Sequence, residues 1–224
     1  MLLSRRRQPH APSSGTRAVR ASGRARLVRL DLGATDELLE ALVSEADKVG
    51  VDVPFGWPDA FVEAVAAHSR RSGWPPSGTR QLRFRRTDLY VQETTGKWPL
   101  SVSTDRIGIT AFRAARFLDH FDADRTGAGH FVEVYPAAAT RRLDLKPEIA
   151  DVERRTRTWL DIPAELRPKL SASRDALDSL IASLVTRAAA VGLCDPIPRE
   201  HLDAAAREGW IAIPLPGSLE RLTD

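Results

Sequence analysis

Three carboxylate-bearing strings carry the side chains best suited to chemistry. Asp52 lies in Val49-Gly50-Val51-Asp52-Val53-Pro54-Phe55-Gly56-Trp57-Pro58, an apolar run ending in a proline and glycine turn. A carboxylate at the C-terminal end of a strand sits where α/β sheets place ligands. Buried there, it needs a cation or hydrogen-bond donors, because an unpaired buried charge is too costly. It either serves a site or accepts hydrogen bonds from the Pro54–Gly56 turn and caps the next helix. Asp175 and Asp178, three residues apart, are neighbours on one side of a predicted helix. Asp178 borders the apolar stripe of that helix, whereas Asp175 faces away in the first turn, where acids are common for dipole reasons. Glu133 interrupts the apolar segment Phe131-Val132-Glu133-Val134-Tyr135. It points to solvent from an edge strand or enters a site.

Arg80, Arg83, Arg85, Arg86 and Lys97 lie among Trp74, Phe84, Tyr90 and Trp98. Guanidinium forks suit phosphate, and aromatic faces stack on bases. Two bland alternatives are an ordinary basic surface and, for Arg86-Thr87-Asp88, an internal ion pair in which Asp88 orients Arg86. Other catalytic systems find little support. The sequence has no CxxC, HExxH, P-loop, GxGxxG or GxSxG string, and its five histidines show no ligand spacing. The single Cys194 excludes an intrachain disulfide framework and a multi-cysteine zinc site, and points to a reducing, cytoplasmic compartment. Acids with basic surroundings remain, the raw material of Mg²⁺- or Mn²⁺-assisted phosphodiester chemistry.

These side chains need a scaffold. The 224 residues suit one large domain, with 42% hydrophobic residues for a core and 28% charged residues for a surface. No run approaches the ~20 apolar residues that span a bilayer, and Ser4-Arg5-Arg6-Arg7 is no secretory h-region. Residues 1–30 hold eight arginines and no acid, which turns the overall charge of +3 into −5 for the remainder. That segment attracts nucleic acid through its charge, imitates an organelle-targeting peptide, or is simply disordered. The expected organisation is a basic disordered tail over 1–15 and one domain over 16–224.

Within that domain, Thr16–Ala21 and Arg24–Leu30 are predicted as a hairpin. Thr35 caps a helix over 36–46, and Lys48–Val53 forms a strand. Asp59–His68 is a helix expected to bury Phe61, Val62, Val65 and Ala66. Residues 71–104 read as irregular. A helix over 107–120 precedes the strand Gly129–Tyr135, which Pro136 stops. A polar helix follows near 147–160. Ser173 caps a long helix to about Val191, with Leu177, Leu180, Ile181, Leu184, Val185 and Ala188 on its buried face. Gly209–Ile213 is a last edge segment. Helices between isolated strands argue α/β.

The Asp52–Pro58 string, Arg86-Thr87-Asp88, Glu133-Val134-Tyr135-Pro136 and Arg174-Asp175-Ala176-Leu177-Asp178 occur in this order, over about residues 24–215. Together they resemble the DUF429 family, usually described as predicted nucleases with a ribonuclease H-like fold. The resemblance implies a mixed sheet of about five strands, the first three antiparallel, with helices on both faces. It also implies divalent metal held by Asp52 and Asp178, with Asp175 or Glu133 as auxiliary ligand or water orienter. Arg86, with Arg83 and Lys97, would steady a substrate phosphate.

Family members open on an apolar strand bearing an aspartate, and residues 1–30 here contain no acid. The first strand is therefore expected to be missing or degenerate, with Met1–Gly15 off the sheet. The open positions would be filled by Thr16–Ala21, by a partner strand through self-association, or not at all. The expected function is a metal-dependent nuclease acting on nucleic acid, weakened by the absent first aspartate. The alternative is a non-catalytic nucleic-acid-binding or scaffold protein with the same fold.

Overall fold

The computed structural model describes residues 2–4 and 24–223. Thr16–Ala21 and most of the expected tail lie outside the described residues. Three strands form the main sheet. β1 (Leu2–Ser4) pairs antiparallel with β3 (Lys48–Val51), placing Leu3 opposite Val49. On its other side β3 runs parallel to β4 (Phe131–Glu133), with Gly50 opposite Val132. The sheet gains a further neighbour where Glu133 bridges Ile211 in parallel and Ala212 N–H donates to the Glu133 carbonyl at 2.9 Å. A separate parallel pair joins β2 (Ala25–Arg26) to β5 (Leu160–Asp161).

The main sheet corrects one expectation. Its first strand is not missing, and the head of the chain does not lie wholly off the sheet. Leu2–Ser4 takes the free backbone groups along β3, a place assigned in advance to Thr16–Ala21, a partner or nothing. Three residues carry no readable periodicity, so the sequence pattern could not reveal the strand.

Side-chain alternation sends the two faces of β3 and β4 into different layers. Val49, Val51 and Phe131 pack with Phe55, Val43 of α1 (Asp36–Ser44) and Leu118 of α5 (Gly108–His120). Val132 and Val134 pack instead with α9 (Arg174–Ala190) and with α6 (Pro136–Arg142). Gly50 lies on the α9 side, where a Cβ would collide with Thr186 Oγ1 and stand 3.3 Å from Val134 Cγ1. The missing side chain lets the longest helix lie directly on the strand that ends at Asp52.

Helix starts follow local chemistry. Thr35 Oγ1 accepts from Leu38 N–H at 3.4 Å, and Ser173 Oγ accepts from Ala176 N–H at 3.2 Å, as expected of N-caps. All six apolar stripe residues of α9 are buried. The stripe of α2 (Asp59–Ser69) differs from expectation. Val62 and Val65 are 53% and 47% exposed, and Ala64 is the buried residue. The helix touches α3 (Thr79–Arg83) and α10 (Leu202–Glu208) closely, which suits its small side chain. Residues 71–104 are also less irregular than their composition implies, since they contain α3 and α4 (Arg86–Thr95). The remaining helices are α7 (Ile149–Thr156) and α8 (Arg167–Ala172). The chain is thus mixed α/β, with ten α-helices and small sheets among the described residues. No described helix is long and apolar enough to cross a membrane.

Candidate functional site

Asp52 immediately follows β3, and the turn behind it is fixed by a buried ion network. Phe55 N–H donates to Glu133 Oε2 at 2.9 Å. The same carboxylate receives both ends of the Arg85 fork, with Nη1 at 2.9 Å from Oε2 and Nη2 at 2.7 Å from Oε1. Arg85 Nη2 also donates to Asp88 Oδ1 at 2.9 Å and Nε to Asp88 Oδ2 at 3.3 Å. Its last donor reaches the Glu208 carbonyl at 3.1 Å. Every guanidinium N–H is therefore satisfied, although Arg85 is only 1% exposed and Glu133 2%. Burial opposes the Arg85 charge, but Asp88 and Glu133 outweigh it and raise its pKa. Glu133 is raised because its burial outweighs the help of Arg85 and Phe55.

Glu208 extends the network. Its Oε1 accepts from Asp59 N–H at 2.8 Å and its Oε2 from Arg86 N–H at 2.7 Å. Asp59 and Arg86 are the first residues of α2 and α4, so one carboxylate satisfies orphan amides at two helix starts and faces both positive ends. Burial raises the Glu208 carboxyl, and these two hydrogen bonds oppose the rise. Two glycines make room for the junction. A Cβ on Gly56 would stand 2.6 Å from the Arg207 carbonyl oxygen, and one on Gly209 2.8 Å from Glu133 Oε2.

The Asp52 carboxyl is pushed up to about 7, first by burial and then by Asp178, with Glu133 and Asp175 adding to the rise. The residue keeps exposed surface, so water moderates these effects. Tyr135 is also raised, by burial and then by Asp52. The end of β3 and the start of α9 thus bring the acids of Asp52, Asp178 and Asp175 within electrostatic reach of one another. Asp178 is partly buried and accepts Arg174 Nε at 3.1 Å and 3.0 Å. Asp175 is exposed in the first turn.

A family profile matches residues 12–203, a span that includes Asp52, Arg86-Thr87-Asp88, Glu133 and Asp178. The chain belongs to DUF429. That family carries the description of a protein of unknown function. No curated protein and no solved structure matches the chain.

In this DUF429 chain Arg83, Arg86 and Lys97 all keep exposed surface. Arg83, Arg86 and Lys97 are not among the main charges acting on Asp52. Arg86 is exposed and lines an open hollow of about 340 Å³ with Arg80, Tyr90 and His201. Arg83 Nε donates to Thr104 Oγ1 at 3.3 Å, and its guanidinium lies 5.0 Å from the centre of the Phe84 ring. Lys97 is partly exposed just after α4. The partner of Asp88 is Arg85, not Arg86. Nothing in the sequence separates these adjacent arginines except burial, and Glu208 joins the network with no motif to mark it.

The acids also bear on metal binding. Among the described residues no three His, Cys, Asp or Glu side chains are grouped so as to hold a metal ion. Glu133 is committed to Arg85 and Phe55. Asp178 is paired with Arg174, so a hard cation here would rest on Asp52 and Asp178 alone, with water and substrate phosphate completing its shell.

Proposed function

We propose that this DUF429 member has a ribonuclease H-like fold and hydrolyses phosphodiester bonds in nucleic acid with Mg²⁺ or Mn²⁺. The observation that carries this reading is Asp52 at the end of β3, raised to about 7 beside Asp178. Acids brought together in partly desolvated surroundings repel one another, and a divalent cation relieves that repulsion. Asp52 and Asp178 would hold the ion, which would supply Lewis-acid stabilisation of phosphate charge and lower the pKa of bound water. Glu133 acts by position: its bond to Phe55 holds the turn behind Asp52. Asp175 lies outermost and tunes the local charge.

The second reading, a non-catalytic nucleic-acid-binding or scaffold protein, draws support from the Arg174–Asp178 pair and the absence of a three-ligand group among the described residues. Cleavage of labelled single- and double-stranded DNA and RNA in Mn²⁺ separates the two. Turnover that disappears in Asp52→Asn, purified identically, supports hydrolysis. Salt-sensitive binding without turnover, unchanged by Asp52→Asn, supports the second reading.

A further inference from the structure

A second charged feature lies among β2, β5, α7 and α8, and none of the acids acting on Asp52 lines it. These elements enclose an open cleft of about 630 Å³ whose charged lining is Arg24, Arg26, Arg157, Arg167, Glu153 and Asp161. Its volume falls within the range of about 300–1,000 Å³ usual for small-ligand pockets. The backbone sets its shape. Ala25 N–H donates to the Trp159 carbonyl at 2.7 Å and Leu27 N–H to the Asp161 carbonyl at 2.9 Å, so Arg26 is held opposite Asp161 in the parallel ladder.

Each acid has an arginine within ion-pair distance, although the buried Glu153 Oε1 accepts no hydrogen bond among the described residues. Arg26 Nε lies 3.3 Å from Asp161 Oδ2, and Arg167 Nε lies 2.6 Å from Glu153 Oε1. Arg24 and Arg157 have no ion pair among the described residues, which leaves two guanidinium forks unmatched across one cavity. The other lining residues are only Ala25, Leu160 and Ile162, and the first two pack partly against the core. Four arginines and no lysine favour planar, bidentate recognition of an oxyanion.

We infer that this cleft is an anion site for a multiply phosphorylated ligand, with Arg24 and Arg157 as its free forks and Arg26 and Arg167 beside Asp161 and Glu153. The ligand is either a free phosphorylated small molecule or a stretch of nucleic-acid backbone, since both present closely spaced phosphate charge. The inference goes beyond the hydrolytic reading and does not depend on Asp52.

The test uses the full chain and two probes: pyrophosphate, followed by calorimetry, and a fluorescein-labelled single-stranded oligonucleotide, followed by anisotropy. Arg24→Ala and Arg157→Ala change exposed side chains, and unchanged thermal unfolding would verify their folding. Each should weaken binding roughly tenfold, the loss expected for a charge-assisted hydrogen-bonded contact. The double variant should weaken it further and flatten the salt dependence of oligonucleotide binding. Losses confined to pyrophosphate assign a small phosphorylated molecule, and losses that include the oligonucleotide assign a backbone. No binding of either probe overturns the inference. So does an equal loss in Arg116→Ala, an exposed arginine on α5 that does not line the cleft, or stronger binding of polyglutamate than of both phosphate probes.

Discussion

An aspartate raised to about 7 is charged only when its surroundings permit it, and this gives Asp52 two measurable signatures. Between its ordinary value of 3.8 and about 7, the folded chain holds the Asp52 proton more tightly than the unfolded chain. The unfolded state binds fewer protons in that window, so this residue's contribution to stability falls as pH rises through it. Asp52→Asn removes the effect. Its thermal midpoint should exceed that of the unmodified chain at about pH 8, and the gap should shrink towards about pH 4. A gap independent of pH would show that Asp52 titrates normally. Cation binding has the opposite sign, because the ion selects the carboxylate. Mn²⁺ affinity should therefore increase as pH rises through about 7, with proton release detected by calorimetry in buffers of different ionisation enthalpy. At Arg85 the matter is burial. Arg85→Met leaves Asp88 and Glu133 enclosed without their cation and should cost about 3–5 kcal/mol in urea unfolding. A much smaller loss would mean that the network relaxes or admits water.

At the scale of elements, α9 and β3 position the acids, and their contact depends on side-chain size. Ile181 is fully buried in the middle of the α9 stripe. Ile181→Ala should destabilise by about 2–5 kcal/mol, through lost transfer energy and the cavity left behind. An unfolding midpoint that barely moves would place the buried face of α9 elsewhere. This helix was legible in the sequence because a cap, a continuous apolar stripe and a terminal glycine agreed. So were α1, α5 and the presence of β3 and β4, although β3 stops at Val51 rather than Val53 and β4 spans only Phe131–Glu133 of the expected Gly129–Tyr135. The helices α3, α4, α6, α8 and α10 were not. All but α4 are shorter than eight residues, and their burial comes from tertiary neighbours rather than from a stripe of their own. Val62 and Val65 show the same limit: helical spacing marks an apolar face, but only packing decides whether it is covered. The candidate site divides likewise. The strings around Asp52 and Asp178 were visible as motifs, whereas Arg85 and Glu208 become special only when distant segments bring carboxylates and helix starts together.

For the whole molecule, the decisive contact is the one between the head of the chain and the centre of the main sheet. β1 pairs with β3 on one side, and β4 pairs with it on the other, so β3 has neighbours along both edges. Its side chains are enclosed as well, since Val49, Gly50 and Val51 separate the α1 and α5 layer from α9. Removing β1 would leave a buried strand with unpaired amides and carbonyls facing a gap. Such groups must find partners, and an exposed strand edge supplies a template for another chain. Deletion of residues 2–4 should therefore lower the thermal midpoint and produce concentration-dependent association in analytical ultracentrifugation. Ser4→Pro offers a milder version: Val49 N–H donates to the His130 carbonyl at 2.9 Å, so its neighbour Lys48, paired with Ser4, faces β1, and proline removes that ladder donor while keeping the chain length. Its effect should be smaller in stability but in the same direction. If both variants stay monomeric and unfold at the original temperature, the β1 pairing contributes nothing to the fold. If association appears in the deletion and not in Ser4→Pro, the covering of β3 matters more than any single ladder hydrogen bond.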